Sequence, residues 1–333
     1  MTRRLLRPAA ALVDQRVRRR VGRLREDLDR AVRGSREAGE ELREELRHEL
    51  ASVREEVGSL HDEVGSLRRE VTTLRGRQLP ADLLFERMGS AGNRTFTAAE
   101  LDELVAQIAA VSGAGPRLAR RNVAVAFRTV LAVEALGVGR LAGTTRNVCG
   151  KLATVPLLAP PNPEVLEIGT LYGMFAASLA RMLHRAGIEP CLTVVDPLAG
   201  AQLQPGAKTG AEPTGTPVRL DVLRANLAFG GPAGARARVL RGLSGDPEIR
   251  AAVADRAYGV IVVDGDHSEA GVAADLVWAE SIAAPGGIVV LDDYGDPGWP
   301  GVQAAADQHL SLGSTRFDLL GRVSTSAFLR ARA

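Results

Sequence analysis

Two apolar runs constrain this chain more than anything else in it. Gly259-Val-Ile-Val-Val263 breaks into Asp264-Gly265-Asp266-His267, and Ile288-Val-Val-Leu291 breaks into Asp292-Asp293-Tyr294. Continuous β-branched runs predict strands buried on both faces, as in a parallel sheet flanked by helices. Both runs end in carboxylates, and ligands bind outside the carboxyl ends of such strands. Several acids and a histidine gathered there call for a cation, a proton-transfer role, or both.

The 333 residues suffice for one large domain with an extension, or for two modest domains. A net charge of +2 gives the chain no polyelectrolyte character, so no nucleic-acid partner is expected. Lys151 and Lys208 are its only lysines, a bias that reads as genome composition together with the abundant Ala and Gly. Cys149 and Cys191 lie far apart without metal-ligand spacing, which fits reduced thiols in a cytoplasmic protein. No apolar stretch approaches the roughly 20 residues a transmembrane helix needs. The Arg3-Arg4-Leu5-Leu6-Arg7-Pro8 start, with its short interrupted apolar core, does not read as an export signal. Arg16, Arg18, Arg19 and Arg20 form a solvated basic helix or a weak anionic-surface contact.

Residues 1–78 form an arm. From Leu46 to Leu74 apolar residues recur three and four apart, with Leu50, Val57, Val64 and Val71 at heptad position a and Val53, Leu60, Leu67 and Leu74 at d. β-branched a with Leu at d favours two parallel strands. Glu49, Glu56, Glu63 and Glu70 fall at g, five residues before Arg54, His61, Arg68 and Arg75 at e, the pairing of a parallel homodimer. The alternative is a long helix packed on its own domain. An earlier amphipathic stretch, Val21 to Val32, is expected to break at Gly34-Ser35.

Residues 79–162 show helical patterning without motif chemistry. Thr97 followed by Glu100 is a capping box opening a helix through Ala110, and Asn122 to Leu136 is a second amphipathic stretch. Ala159-Pro-Pro-Asn-Pro163 marks the boundary to the domain at 163–333.

That domain begins with Val165-Leu-Glu167-Ile-Gly169-Thr-Leu-Tyr-Gly173, a strand ending in E-x-G-x-x-x-G, whose glycines permit a sharp turn and close approach to a ligand. A second strand ends at Asp196-Pro197, where a carboxylate is placed to accept from a ribose diol. The dinucleotide fingerprint needs Gly where this chain has Glu167, which disfavours nicotinamide cofactors. On these residues the chain resembles the class I S-adenosylmethionine-dependent methyltransferases over about its second half. The resemblance implies a Rossmann-like, seven-stranded α/β sheet. It places Glu167, Gly169 and Gly173 around the methionine end of the cofactor, Asp196 on its ribose, and Ser244 near its adenine. Ser244 has a second reading, as a helix N-cap.

The D-G-D-H and D-D-Y pair is similar to divalent-metal-dependent O-methyltransferases that act on sugars of natural products. That resemblance implies Asp264, Asp292 and Asp293 as ligands of a metal such as Mg²⁺, His267 as general base, and a sugar or glycosylated metabolite as acceptor. Such an ion lowers the pKa of a bound hydroxyl and fixes its attack angle. Glu269 stands where relatives often carry Tyr, which alters the local pocket. Asp266 orients His267, contacts the cofactor or caps the following helix. The irregular segment 197–217, with Lys208, reads as a lid. Tyr294 and Trp299 stack on an acceptor or shield the metal. Phe317–Leu320 and Val323–Leu329 are the antiparallel strands that close the fold. Two other functions remain open from the sequence: an N-methyltransferase or hydroxylase-like relative, and a coiled-coil scaffold with a vestigial cofactor domain.

Overall fold

A computed structural model describes residues 6–85, 94, 96–200, 203 and 216–333, and side chains within the first helix from 13 to 76. The chain divides into two compact units, Met1–Pro80 and Ala81–Ala333. Helix α1 runs Leu6–Phe85 over 80 residues and makes up the described part of the first unit. At 1.5 Å per residue it is about 120 Å long. It passes through Gly34 and Ser35 without interruption, contrary to the break expected there. A helical Gly costs only about 1 kcal/mol against Ala, which a helix of this length absorbs. The seam from Leu46 to Leu74 is exposed along its whole length, each apolar residue being 44–58% accessible.

In the second unit, α2 (Ala98–Ser112), α3 (Pro116–Leu136) and α4 (Thr145–Thr154) precede the sheet. The capping box is present: the Thr97 hydroxyl accepts from the Glu100 amide, and the Glu100 carboxylate accepts from the Thr97 amide. Then come β1 (Glu164–Ile168), α5 (Met174–Arg185), β2 (Cys191–Asp196), α6 (Leu220–Leu227), α7 (Pro232–Ala235) and β3 (Arg238–Arg241). The rest is α8 (Pro247–Val253), β4 (Tyr258–Val263), α9 (Glu269–Ile282), β5 (Ala283–Leu291), α10 (Pro300–Ser311), β6 (Phe317–Val323) and β7 (Ser326–Ala331).

The strands form one seven-stranded sheet in the order β3-β2-β1-β4-β5-β7-β6. β1 to β5 pair in parallel, while β7 inserts antiparallel between β5 and β6. This is the α/β methyltransferase sheet that the sequence resemblance implies. Strand parity assigns the two cores. Val165, Val194, Val260, Val262, Ile288 and Val290 pack under α2 to α6, and Leu166, Ile168, Val195, Ile261, Val263 and Val289 pack against α8 to α10. Both faces are covered, which explains why β4 and β5 read as unbroken apolar runs. Strand order reverses between β1 and β4, so the crevice beyond their carboxyl ends is the expected ligand site.

Candidate active site

A cavity of about 550 Å³ opens at that switch point. Glu167, Gly169, Asp196, Ser244 and Asp264 line it, together with Lys151, Asp266 and Asp275. The four strand ends are stitched by backbone bonds: Gly169 donates to Val195, Asp264 to Ile168, and Asp292 to Val263, all within 3.0 Å. The cofactor-side acids and Asp264 therefore share one space. Gly173, His267, Asp292 and Asp293 stand outside its lining.

The glycines of the first turn answer to the protein rather than to a ligand. Gly169 has φ +79°, and a Cβ there would lie 2.1 Å from the Asp264 carbonyl oxygen. Gly173 has φ +78° and starts α5, where a Cβ would meet Leu223 of α6 at 2.6 Å. Their close approach is to β4 and α6.

Glu167 is 2% exposed, and the Thr170 hydroxyl donates to it at 2.5 Å. Burial pushes its carboxyl up to about 8. A buried acid beside a cavity is a fitting counter-charge for the ammonium of an amino-acid moiety, so the residues fit the methionine end of the implied cofactor. Asp196 is tied into its own loop. One oxygen accepts from the amides of Thr170 and Leu171 at 2.8 and 3.0 Å, and the other from Leu198 at 2.7 Å. A carboxylate offers about four lone-pair positions, leaving one for a ribose hydroxyl. Ser244 is not a helix cap, because Asp246 holds that place before α8. Its side chain lies toward Asp275, which is 1% exposed and has one oxygen without a partner. Burial raises the Asp275 carboxyl to about 6.

The acceptor side is a charge cluster. Asp264 is pushed up to about 6, first by burial and then by the charge of Asp292. Asp293, in the left-handed region at φ +56°, is pushed to about 7 by burial and by the other two acids. His267 is 8% exposed and stands between them, Nε2 3.4 Å from Asp264 and Nδ1 3.4 Å from Asp293. Burial would lower its pKa, but the surrounding carboxylates raise it. The Trp299 ring packs edge-on at 4.7 Å and closes the far side of the imidazole. Tyr294 donates its hydroxyl to Asp307 of α10 at 2.7 Å. Asp266 accepts from the Ser268 amide at 2.8 Å, fixing the turn into α9. The expected lid, Lys208 included, lies outside the described residues, apart from its ends and Leu203.

Helix α4 carries no sequence motif, yet it supplies two residues to this cluster. Asn147 and Lys151, four apart, lie on one face of that helix and both reach Asp292. Lys151 Nζ lies 2.5 Å from one Asp292 oxygen and 3.6 Å from Asp264. The second Asp292 oxygen accepts from Asn147 at 2.7 Å and from the Ser326 hydroxyl at 2.9 Å. Burial works against both charges of the pair. The ammonium nevertheless holds Asp292 well below the usual carboxylate range, and the acids hold Lys151 above its ordinary value. The signal available in the sequence was a lysine in a chain whose cations are almost all Arg.

This arrangement does not fit the divalent ion implied by the resemblance. Three of the roughly four lone-pair positions of Asp292 are already taken, by Lys151, Asn147 and Ser326, and the His267 ring stands between Asp264 and Asp293. A divalent ion 4 Å from the ammonium would be repelled by roughly 8 kcal/mol at an effective dielectric constant of 20. Among the described residues no three His, Cys, Asp or Glu side chains are grouped to hold a metal.

Residues 166–294, less than half of the chain, match a family model described as a methyltransferase domain. No curated protein matches the chain. Among solved structures it is similar to the O-methyltransferase NovP, with 17% identity, 57% of this chain and 81% of that one covered, and a TM-score of 0.44. It is also similar to the O-methyltransferase TomG from Streptomyces achromogenes in complex with SAM, at 18% identity, 63% and 90% covered, TM-score 0.40. A third is CalS11, a TDP-rhamnose 3'-O-methyltransferase, at 18% identity, 71% and 96% covered, TM-score 0.37.

Proposed function

We propose that this chain, which carries a class I S-adenosylmethionine-dependent methyltransferase domain, methylates a hydroxyl of a sugar or glycosylated small molecule. One observation carries the reading: a single cavity runs from Glu167 and Asp196 to Asp264, so a cofactor and an acceptor acid meet in one space. The sugar class rests on the resemblance of the two strand-end motifs.

In the transfer, the acceptor oxygen forms a bond to the methyl carbon while the carbon–sulfur bond breaks and its electron pair returns to sulfur. The hydroxyl proton must leave. Asp264 faces the cavity and His267 stands behind it at 3.4 Å, so the proton passes to the Asp264–His267 pair, with His267 as its final holder. General-base assistance of this kind is worth roughly 10² to 10⁴ in rate. Glu167 binds the cofactor ammonium, and Asp196 takes one ribose hydroxyl with its remaining lone pair.

Calorimetry with S-adenosylmethionine, followed by transfer of labelled methyl to a panel of nucleotide-linked and free deoxysugars, tests the reading. Cofactor binding with transfer to oxygen supports it. Absence of binding heat at high protein concentration removes it in favour of the scaffold alternative. Transfer to an amine supports the N-methyltransferase instead.

The exposed heptad seam of α1 supports a second element of the proposal, a parallel two-stranded coiled coil joining two copies. Removing residues before Gln78 converts a dimer to a monomer in sedimentation if the seam pairs the chain. A dimer that survives the truncation refutes that role.

A further inference from the structure

We propose that the buried ammonium of Lys151 takes the place of the divalent cation, so that acceptor activation in this chain runs on a charge borne by the protein. The inference deepens the methyl-transfer reading and rests on it for its chemistry, but its central claim concerns only which cation the acids hold.

Three observations converge. Lys151 Nζ lies between the carboxylates that end β4 and β5, at 3.6 Å from Asp264 and 2.5 Å from Asp292. The Phe175 ring lies 4.8 Å from the same nitrogen, an aromatic face that suits an organic cation. Asn147 and Ser326 then occupy the other Asp292 oxygen, so three of its roughly four lone-pair positions are engaged by this arrangement. The residue is 2% exposed, yet it lines the same cavity as Asp264. It is therefore sealed from bulk water while still presented to a bound acceptor.

An ammonium here favours the developing negative charge on the acceptor oxygen as its proton leaves toward Asp264 and His267. It differs from a metal in one chemical respect. A metal ion chelates two vicinal oxygens, whereas an ammonium donates single hydrogen bonds and does not require a diol. The acceptor then needs only one correctly placed hydroxyl.

Mn²⁺ serves as the probe. Full-length protein, stripped with chelator and desalted, is titrated with Mn²⁺ and the free ion is followed by electron paramagnetic resonance. The expected result is no stoichiometric binding to the wild type, and binding roughly tenfold tighter or more in Lys151→Gln, which removes the charge but keeps a hydrogen-bond donor for Asp292. Mn²⁺ should raise the melting temperature of that variant and leave the wild type unchanged. Stoichiometric Mn²⁺ binding to the wild type that Asp292→Asn abolishes would overturn the inference. That wild-type measurement needs no variant to fold. S-adenosylmethionine calorimetry on the same sample separates the two claims: a protein that binds neither cofactor nor Mn²⁺ loses the methyltransferase reading, and one that binds both loses the Lys151 inference alone.

Discussion

Asp196 and Asp292 both end strands of the same sheet, both are buried, and both have nearly every lone pair engaged. They differ in what engages them. Asp196 is held by three amides from its own turn and the turn after β1. Asp292 is held by side chains 145, 141 and 34 residues away, from Asn147, Lys151 and Ser326. Amides fix an acid as a structural tie and make the loop rigid around a cofactor. A buried ammonium neutralises an acid and leaves a polar, charged wall. The same residue at equivalent strand ends thus serves as a fastener in one half of the site and as one arm of an ion pair in the other.

Breaking the ion pair has the largest expected effect. Lys151→Ala strands a buried carboxylate and should cost about 3–5 kcal/mol, measured by urea denaturation. Combining Lys151→Met with Asp292→Asn should recover most of that loss. Strict additivity of the two changes would show that they do not interact.

Asp275 extends the comparison, since one of its oxygens is held by neither amide nor cation. Its folded pKa of about 6 lies above the usual 3.8, so the native state binds the proton more tightly than the unfolded chain. Stability from this group is fully present below pH 3.8 and is lost as pH rises through 6. Asp275→Asn should flatten that slope and stabilise the protein at pH 8 by up to about 3 kcal/mol. An unchanged pH–stability profile would assign the acid a partner in solution.

Cutting the tie at Asp196 should cost about 2 kcal/mol, because the freed amides lie at a cavity that water enters. The sharper contrast is in binding. Asp196→Ala should weaken S-adenosylmethionine at least tenfold, about 1.4 kcal/mol, in calorimetry. Asp292→Asn should leave that affinity almost unchanged while reducing methyl transfer. Equal losses of affinity in both variants would erase the distinction between the two halves.

The same contrast explains what was legible in the sequence. Strand runs, the E-x-G-x-x-x-G turn, Asp196-Pro197 and the Thr97 capping box are local patterns whose partners lie within a few residues, and the structure shows each of them as elements or turns. Gly169 was legible as a close approach but not as an approach to Asp264, because that needs the register of β1 against β4. Lys151 stood out only as a rare lysine and could not be placed beside Asp292, because its spacing to that acid has no periodicity and α4 contains no motif. His267 shows the limit from the other side, for the motif located it correctly beside Asp264 while the fold set it behind that acid rather than on the cavity wall.

The placement of Lys151 also bears on modularity. The segment 166–294 that matches a methyltransferase domain contains neither Asn147, nor Lys151, nor Ser326. A fragment or chimera cut at the start of the sheet would carry all the recognisable motifs and still lack the counter-ion that makes Asp292 tolerable inside the protein. Replacing the preceding helices with ones that carry no cation at this position would therefore change the charge beside Asp292 and Asp264 while leaving every signature residue untouched.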